Sequence, residues 1–316
     1  METLLLIFGQ PVTAFGAGAA LAMLLGLITA GLRLRGRAGY GAFIRQAVLT
    51  VPLVLLCSRL MYVLANCTYY LTTLGNPVLA LRFWDGGYSV SGAVLGALAA
   101  AVLAARWTRV RPGILLDATA VGLLPAILVE RLCERGTGMG FGRPVGMDAL
   151  LWMGVDDGMG DLVYPVYLFE AIAAAVILLI VLICRARRRP LPDGDLCLTI
   201  LTLLSASQVI LESLRNDQHM VVHFVRIQQV VFLLIAVFAF ARCLHRAARA
   251  GVFPAKKKSQ RALCWLIVLI CVGLGIWMEF RVDRGTLKAL YYSVMTLSMG
   301  AIAALTLFLR SRSEPA

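Results

Sequence analysis

Ionisable side chains inside long apolar runs are costly to hold in lipid, so each one is a candidate for chemistry. In this 316-residue chain they recur near the ends of such runs. Arg59 comes first, then Glu130 and Arg131, then Glu170. Glu212, Arg215 and Asp217 follow, and Arg226 and Gln229 close the series. A guanidinium presents a planar fork of N–H donors that matches a phosphate. A phospholipid headgroup is the anion met where apolar runs end. A single arginine there is equally well explained by snorkelling to the interface. A carboxylate as deep as Glu170 is not, and the group as a whole reads as an anion site.

Other chemistries have weaker support. His219 and His223 stand four apart, a helical spacing, but Asn216, Asp217 and Gln218 beside them indicate a loop. The third histidine, His245, falls at the opposite end of the following apolar run. The usual three or four ligands of a metal site are missing, so neither a metal nor another cofactor is expected. Eight cysteines are scattered without a Cys-x-x-Cys pair. Most lie in apolar runs, where cysteine behaves as a small hydrophobe. Cys67 and Cys133 fall near one face, where a bridge between them is possible.

The elements that must position these residues are set by composition. Hydrophobic residues make up 60% of the chain, above the ~45–50% of soluble domains. They are gathered into runs of about 20 residues, enough for a helix to cross a bilayer. Lipid leaves no backbone polar group unsatisfied, so spanning segments are helices or closed barrels. The alternation of barrel strands is absent. The pattern predicts an all-α polytopic membrane protein with about nine spans: Val12–Leu32, Ala47–Leu64, Tyr88–Ala105, Ile114–Leu132, Leu162–Cys184, Asp195–Leu214, Phe224–Leu244, Ala262–Phe280 and Ala289–Leu309.

The net charge of +13 would suggest a nucleic-acid partner in a soluble protein, but the basic residues lie between the apolar runs. They are topology signals, and nucleic acid is not expected as a partner. Basic groups at Arg33–Arg45, Arg106–Arg111, Arg185–Arg189, Arg242–Arg261 and Arg310–Arg312 alternate with connections of mixed charge. Positive residues favour the cytoplasm. The amino terminus is therefore expected outside and the carboxyl terminus in the cytoplasm, with the polar cluster at the outer leaflet. A basic stretch holding Pro254, residues 248–261, reads as a cytoplasmic linker between a seven-helix core, 1–247, and a two-helix extension, 262–316.

Several segments, in order, resemble the prolipoprotein diacylglyceryl transferases. Ser58-Arg59-Leu60-Met61-Tyr62-Val63 is similar to the family's Gly-Arg-x-x-Tyr-Val, and Trp84-Asp85-Gly86-Gly87 to its Trp-x-Gly-Gly. Asp117 opens the next helix as in the family, and Arg131 falls on the arginine of Gly-Arg-x-Gly-Asn-Phe. Gly142-Arg143 matches the Gly-Arg that closes that segment. Tyr164-Pro165 and Leu168-Phe169-Glu170 resemble His-Pro-x-x-Leu-Tyr-Glu. Glu212-x-x-Arg215-x-Asp217 resembles Glu-x-x-Arg-x-Asp, and Arg226-Ile227-Gln228-Gln229 the Arg-x-x-Gln beyond it. Five positions depart from the pattern. Ser91 stands at the family's active-site histidine, Cys133 and Glu134 replace Gly-Asn, Met139 replaces a glutamate, and Tyr164 replaces the histidine of His-Pro.

The resemblance implies a bacterial inner-membrane enzyme. It would move the diacylglyceryl group of phosphatidylglycerol onto the thiol of a prolipoprotein's lipobox cysteine, releasing glycerol phosphate. Its partners would be phosphatidylglycerol, the lipobox segment and membrane lipids. Arg131 and Arg215 would hold the phosphate, with Ser91 and Glu134 also at the catalytic positions. Arg59, Tyr62, Gly86, Gly87, Arg143, Glu170, Glu212, Asp217, Arg226 and Gln229 would line the substrate site. In this reading Glu170 and Glu212 orient arginines. Serine cannot act as a base near neutral pH, so Glu134, His219 or His223 would take the thiol proton, or no base is needed. The alternative is a phospholipid-binding paralogue with another acceptor or without catalysis.

Overall fold

The computed structural model describes residues 3–7, 10–73, 76–146, 148–158, 160–186, 191–217, 220–222, 225–253, 258–282 and 284–313. His219, His223, Phe224, Pro254, Lys256 and Lys257 lie outside them, as do Arg187, Arg188 and Arg189. Among the described residues, nine helices are long and apolar enough to cross a membrane. They are α1 (Ala14–Leu34), α2 (Tyr40–Ala65), α3 (Val90–Thr108), α4 (Pro112–Glu134), α5 (Val166–Ala186), α6 (Asp195–Leu214), α7 (Ile227–Arg249), α8 (Lys258–Val282) and α9 (Lys288–Arg312). The protein is a polytopic all-α membrane protein.

Among the described residues, short strands lie before α1 and in two of the connections. β1 (Thr3–Ile7) pairs with β2 (Gln10–Thr13) just before α1. β3 (Phe141–Pro144), β4 (Val155–Asp156) and β5 (Leu162–Pro165) form a small antiparallel sheet in the order β3-β5-β4. β6 (Val221–Val222) and β7 (Val225–Arg226) make a hairpin before α7. The sheet corrects one boundary. The apolar run from Leu162 reads as helix throughout, but residues 162–165 pair with β3 and β4 and the helix begins at Val166. Apolarity alone does not distinguish a buried strand from the first turn of a helix. Cys67 and Cys133, the candidate bridge, are both free.

The chain divides into two compact units. The first comprises Met1–Cys197 and Leu214–Gln228, the second Leu198–Ser213 and Gln229–Ala316. In the first, α4 packs against α1, α3 and α5, and α2 packs against α3. Small residues make these approaches possible, because helices in lipid associate through van der Waals contact. A Cβ on Gly26 would sit 3.0 Å from the Gly122 carbonyl oxygen, and one on Gly122 would strike the Gly26 carbonyl. Across α2 and α3, a Cβ on Gly92 would meet the Cys57 carbonyl at 2.5 Å. Ala101, Ala104 and Ala105 are buried on another face of α3, where they pack with Ala30 and Leu34 of α1 and Leu115 and Ala118 of α4. Ser58 and Ser89 add a polar clamp, since Ser58 Oγ donates to the Ser89 carbonyl at 2.8 Å and accepts from the Ser89 N–H at 2.8 Å.

Asp117, on the first turns of α4, is buried and caps the start of α6. Its Oδ1 accepts from the Cys197 N–H at 2.8 Å and its Oδ2 from the Gly194 N–H at 3.0 Å. Helix amino termini leave their first N–H groups unpaired, and in an apolar setting a side chain must satisfy them.

In the second unit α8 and α9 pack together. The Phe240 ring on α7 meets Trp265 on α8 edge-on at 5.0 Å between centroids. Tyr292 on α9 donates its hydroxyl to the Ser213 carbonyl at 3.2 Å, and Arg310 donates to Thr199.

Asp117→Ala is expected to destabilise the protein by about 1–2 kcal/mol through loss of the α6 cap. Thermal unfolding in detergent measures this, and Asp117→Asn, which keeps one acceptor, should lose less.

Candidate anion site

Arg131 lies in the last turn of α4, where the helix dipole favours its charge, and Glu170 lies on the second turn of α5. The Arg131 side chain is 3% exposed and that of Glu170 is 0%, and Arg131 Nε lies 2.8 Å from Glu170 Oε2. Glu134, the last residue of α4, accepts from Arg131 Nη1 through Oε2 at 2.7 Å. Its other oxygen, Oε1, accepts from Arg215 Nη2 at 2.5 Å. Arg215 Nη1 also reaches Glu170 Oε2 at 3.2 Å.

Arg215 arrives just after α6 and is fixed by backbone as well as charge. Gly142 on β3 bridges Arg215 in antiparallel fashion, and the Asn216 N–H donates to the Phe141 carbonyl at 3.0 Å. Glycine is required at 142 because a Cβ there would lie 3.0 Å from the Leu214 carbonyl and 2.7 Å from Val166 Cγ2. Asp217 Oδ2 accepts from Arg215 Nε at 3.0 Å, from Arg215 Nη2 at 2.7 Å and from the Gly140 N–H at 3.0 Å. Arg226 on β7 donates from Nη2 to the carbonyls of Arg215 at 2.6 Å and Asp217 at 3.2 Å. Glu130 lies 3.6 Å from Arg131. Together, Arg131, Arg215 and Arg226 face Glu130, Glu134, Glu170 and Asp217. Arg131 Nη2 is buried with no hydrogen-bond partner among the described residues.

A second group forms around Arg59 near the carboxyl end of α2. Its guanidinium is held by loop carbonyls: Ala80 at 3.1 Å, Gly87 at 3.3 Å, Leu79 at 3.5 Å, and Gly86. Gly86 and Gly87 both have left-handed backbone, at φ +76° and +73°, a conformation that suits glycine. A Cβ on Gly87 would also strike the Tyr62 ring. The Arg59 guanidinium stacks 5.8 Å from the rings of Tyr62 and Tyr70. A cavity of about 350 Å³ opens here, lined by Arg59, Tyr62, Tyr69, Tyr70, Leu79, Arg82, Gly86 and Gly87. Next to it, the Tyr88 hydroxyl donates to the Phe83 carbonyl, and burial pushes that phenol above its ordinary value despite the opposing pull of Arg59.

Ser91 is fully buried on the first turn of α3. Its hydroxyl lies 2.8 Å from Ser89 Oγ, and Gln228 Oε1 accepts from Ser89 Oγ at 3.3 Å and from the Ser91 N–H at 3.5 Å. Arg143 is half-buried on β3. Glu212 and Gln229 belong to the second unit, where Glu212 is buried and Gln229 Nε2 donates to the Val209 carbonyl and to Glu279 of α8, each at 3.0 Å.

The structure thus brings Arg131, Glu134, Glu170, Arg215, Asp217 and Arg226 into one network. It places Arg59, Tyr62, Gly86 and Gly87 round a separate cavity, and Ser91 in a seryl cluster. Arg82, Tyr69 and Gln228 were not singled out in the sequence. Gln228 lies inside the quoted Arg226–Gln229 motif and Arg82 two residues before Trp84, which is the signal that points to them.

Breaking a buried ion network by removing one partner leaves its counter-charges unpaired, typically a loss of about 3–5 kcal/mol. Arg215→Ala is expected to destabilise by that order. The double variant Arg215→Ala/Asp217→Asn should recover part of the loss, as measured by unfolding in detergent.

The sequence profile of prolipoprotein diacylglyceryl transferase matches residues 2–245. Relatives carrying the name phosphatidylglycerol–prolipoprotein diacylglyceryl transferase include one from Bacillus velezensis, 25% identical over 65% of this chain and 76% of the relative. One from Clostridioides difficile is 26% identical over 72% and 88%, and one from Paenarthrobacter aurescens 29% identical over 68% and 74%. With the family profile covering most of its length, this multi-pass membrane protein belongs to the prolipoprotein diacylglyceryl transferase family.

Proposed function

We propose that the protein transfers the diacylglyceryl group of phosphatidylglycerol to the cysteine thiol of a prolipoprotein lipobox, releasing glycerol phosphate. The observation that carries this reading is the buried Arg131–Arg215 pair, with Arg131 Nη2 left as an unused donor. In the transfer a C–S bond forms as the bond between the diacylglyceryl carbon and the phosphate oxygen breaks. The electron pair leaves with the phosphate. Donors fixed in advance at the point where that charge develops, in a site that excludes water, stabilise its departure. Arg131 and Arg215 fill that role, and Glu170 and Asp217 hold them in place.

The remaining parts of the reading follow from the same cluster. Arg59 secures the loop that carries Gly86 and Gly87, and with Tyr62 frames a separate cavity. Arg143 and Arg226 support the substrate region from β3 and β7. The transferase core is residues 1–247, joined by the linker 248–261 to the extension 262–316, and the family match ending at residue 245 supports that division. With the amino terminus outside, the site opens to the outer leaflet of the bacterial cell membrane, where the lipobox cysteine is reached. The thiolate is the reactive form of that cysteine, whose free pKa is about 8.5. Glu134 is the candidate base among the described residues.

A second reading is a lipid-binding paralogue with another acceptor or no catalysis. Ser91 favours it, because the position of the family histidine holds a hydroxyl fully buried against Ser89.

The test is reconstitution of the purified chain with phosphatidylglycerol and a lipobox peptide, followed by mass spectrometry of the peptide cysteine. A diacylglyceryl adduct is expected, falling by at least about 100-fold in Arg131→Ala, the scale of losing one such donor. Arg131→Lys, which keeps the charge, and unfolding curves of both variants separate loss of chemistry from loss of fold. Absence of an adduct with lipid binding intact would favour the second reading.

A further inference from the structure

Glu134 is the feature of the network that an anion site does not need. Its two oxygens take donors from Arg131 and Arg215 at 2.7 and 2.5 Å, so a carboxylate already spans the pair of guanidinia. The loop that follows closes over it. A Cβ on Gly140 would lie 3.1 Å from Glu134 Oε2, so even a methyl group is crowded there. A phosphate and this carboxylate do not fit on the same donors together. Charge points the same way. Among the ion pairs of the described residues three arginines face four carboxylates, so a further anion added without a displacement would be held against an excess of like charge in an apolar setting.

Of the two carboxylates that contact both Arg131 and Arg215, Glu134 is the one placed to leave. Glu170 is 0% exposed and lies within α5, whereas Glu134 is 7% exposed and ends α4. A helix carboxyl terminus disfavours an anion, so the arginines hold Glu134 against its own helix. The segment beyond it carries Gly138 and Gly140, both with left-handed backbone.

We propose that Glu134 is a resident anion occupying the phosphate seat between Arg131 and Arg215, and that an incoming phosphate group must displace it to bind. Glu134 thereby sets the affinity and selectivity of the site for anionic headgroups. The exchange trades one monoanion for another when the ligand is a phosphodiester. This inference rests on the reading that Arg131 and Arg215 hold phosphate.

The experiment compares the full chain with Glu134→Gln in lipid nanodiscs. Phosphatidylglycerol is titrated against phosphatidylcholine, and glycerol 3-phosphate serves as a soluble probe in parallel. Glu134→Gln keeps the shape but removes the charge. It is expected to raise the preference for phosphatidylglycerol by about tenfold or more, the scale of a hydrogen bond to a charged group. Glu134→Asp, which keeps the charge on a shorter arm, should gain less and serves if the glutamine variant unfolds. A gain for glycerol 3-phosphate alone would assign the displaced seat to a free phosphate. An unchanged or reduced preference, with native unfolding curves, overturns the proposal and makes Glu134 a support for the arginines. Binding that does not depend on Arg131, tested with Arg131→Ala in both backgrounds, instead overturns the underlying phosphate-site reading.

Discussion

The first unit depends on neutralising arginines that have been taken out of water. Arg131 and Arg215 are nearly inaccessible, and a guanidinium in such a place is tolerated only against carboxylates at hydrogen-bond distance. Glu134, Glu170 and Asp217 meet that need from three different segments. The constraint reaches well beyond the side chains. Arg215 and Asp217 must be brought to the ends of α4 and α5, and β3 does this with backbone bonds at Gly140, Phe141 and Gly142. The glycines are what allow the chain to pass that close.

α4 is the element that makes the arrangement possible. Near its start Asp117 caps α6, and at its end Arg131 and Glu134 enter the ion network. Between them its small faces pack directly on α1 and α3. In lipid there is little hydrophobic gain in bringing helices together, so close packing and buried polar pairs supply the specificity. The Gly26–Gly122 contact and the Ser58–Ser89 clamp are the two kinds of joint.

At two positions where the sequence departs from the family pattern that it resembles, the polar groups are paired within the first unit. The hydroxyl at position 91 is drawn into a hydrogen bond with Ser89 while the Ser91 N–H donates to Gln228, and the carboxylate at position 134 joins two arginines. Both side chains have hydrogen-bond partners. A carboxylate between guanidinia satisfies its surroundings better than a neutral amide would, which gives Glu134 a physical reason to be there.

The helical architecture was legible in the sequence because run length and apolarity are local quantities and lipid forbids most alternatives. The list of polar residues was legible for the same reason, since each stands out against an apolar run. What the sequence left open was partnership. Arg59 and Arg131 look alike in one dimension, yet Arg59 is held by loop carbonyls and Arg131 by carboxylates. Gln229 follows Arg226 closely in the chain, but it pairs with Glu279, fifty residues on. The strand at 162–165 reads as helix until β3 supplies its partner. Those outcomes depend on which segments meet, and pairing across a long loop leaves no periodic mark in the chain. Local hydrophobicity determined the helices, and tertiary packing decided which charges face one another.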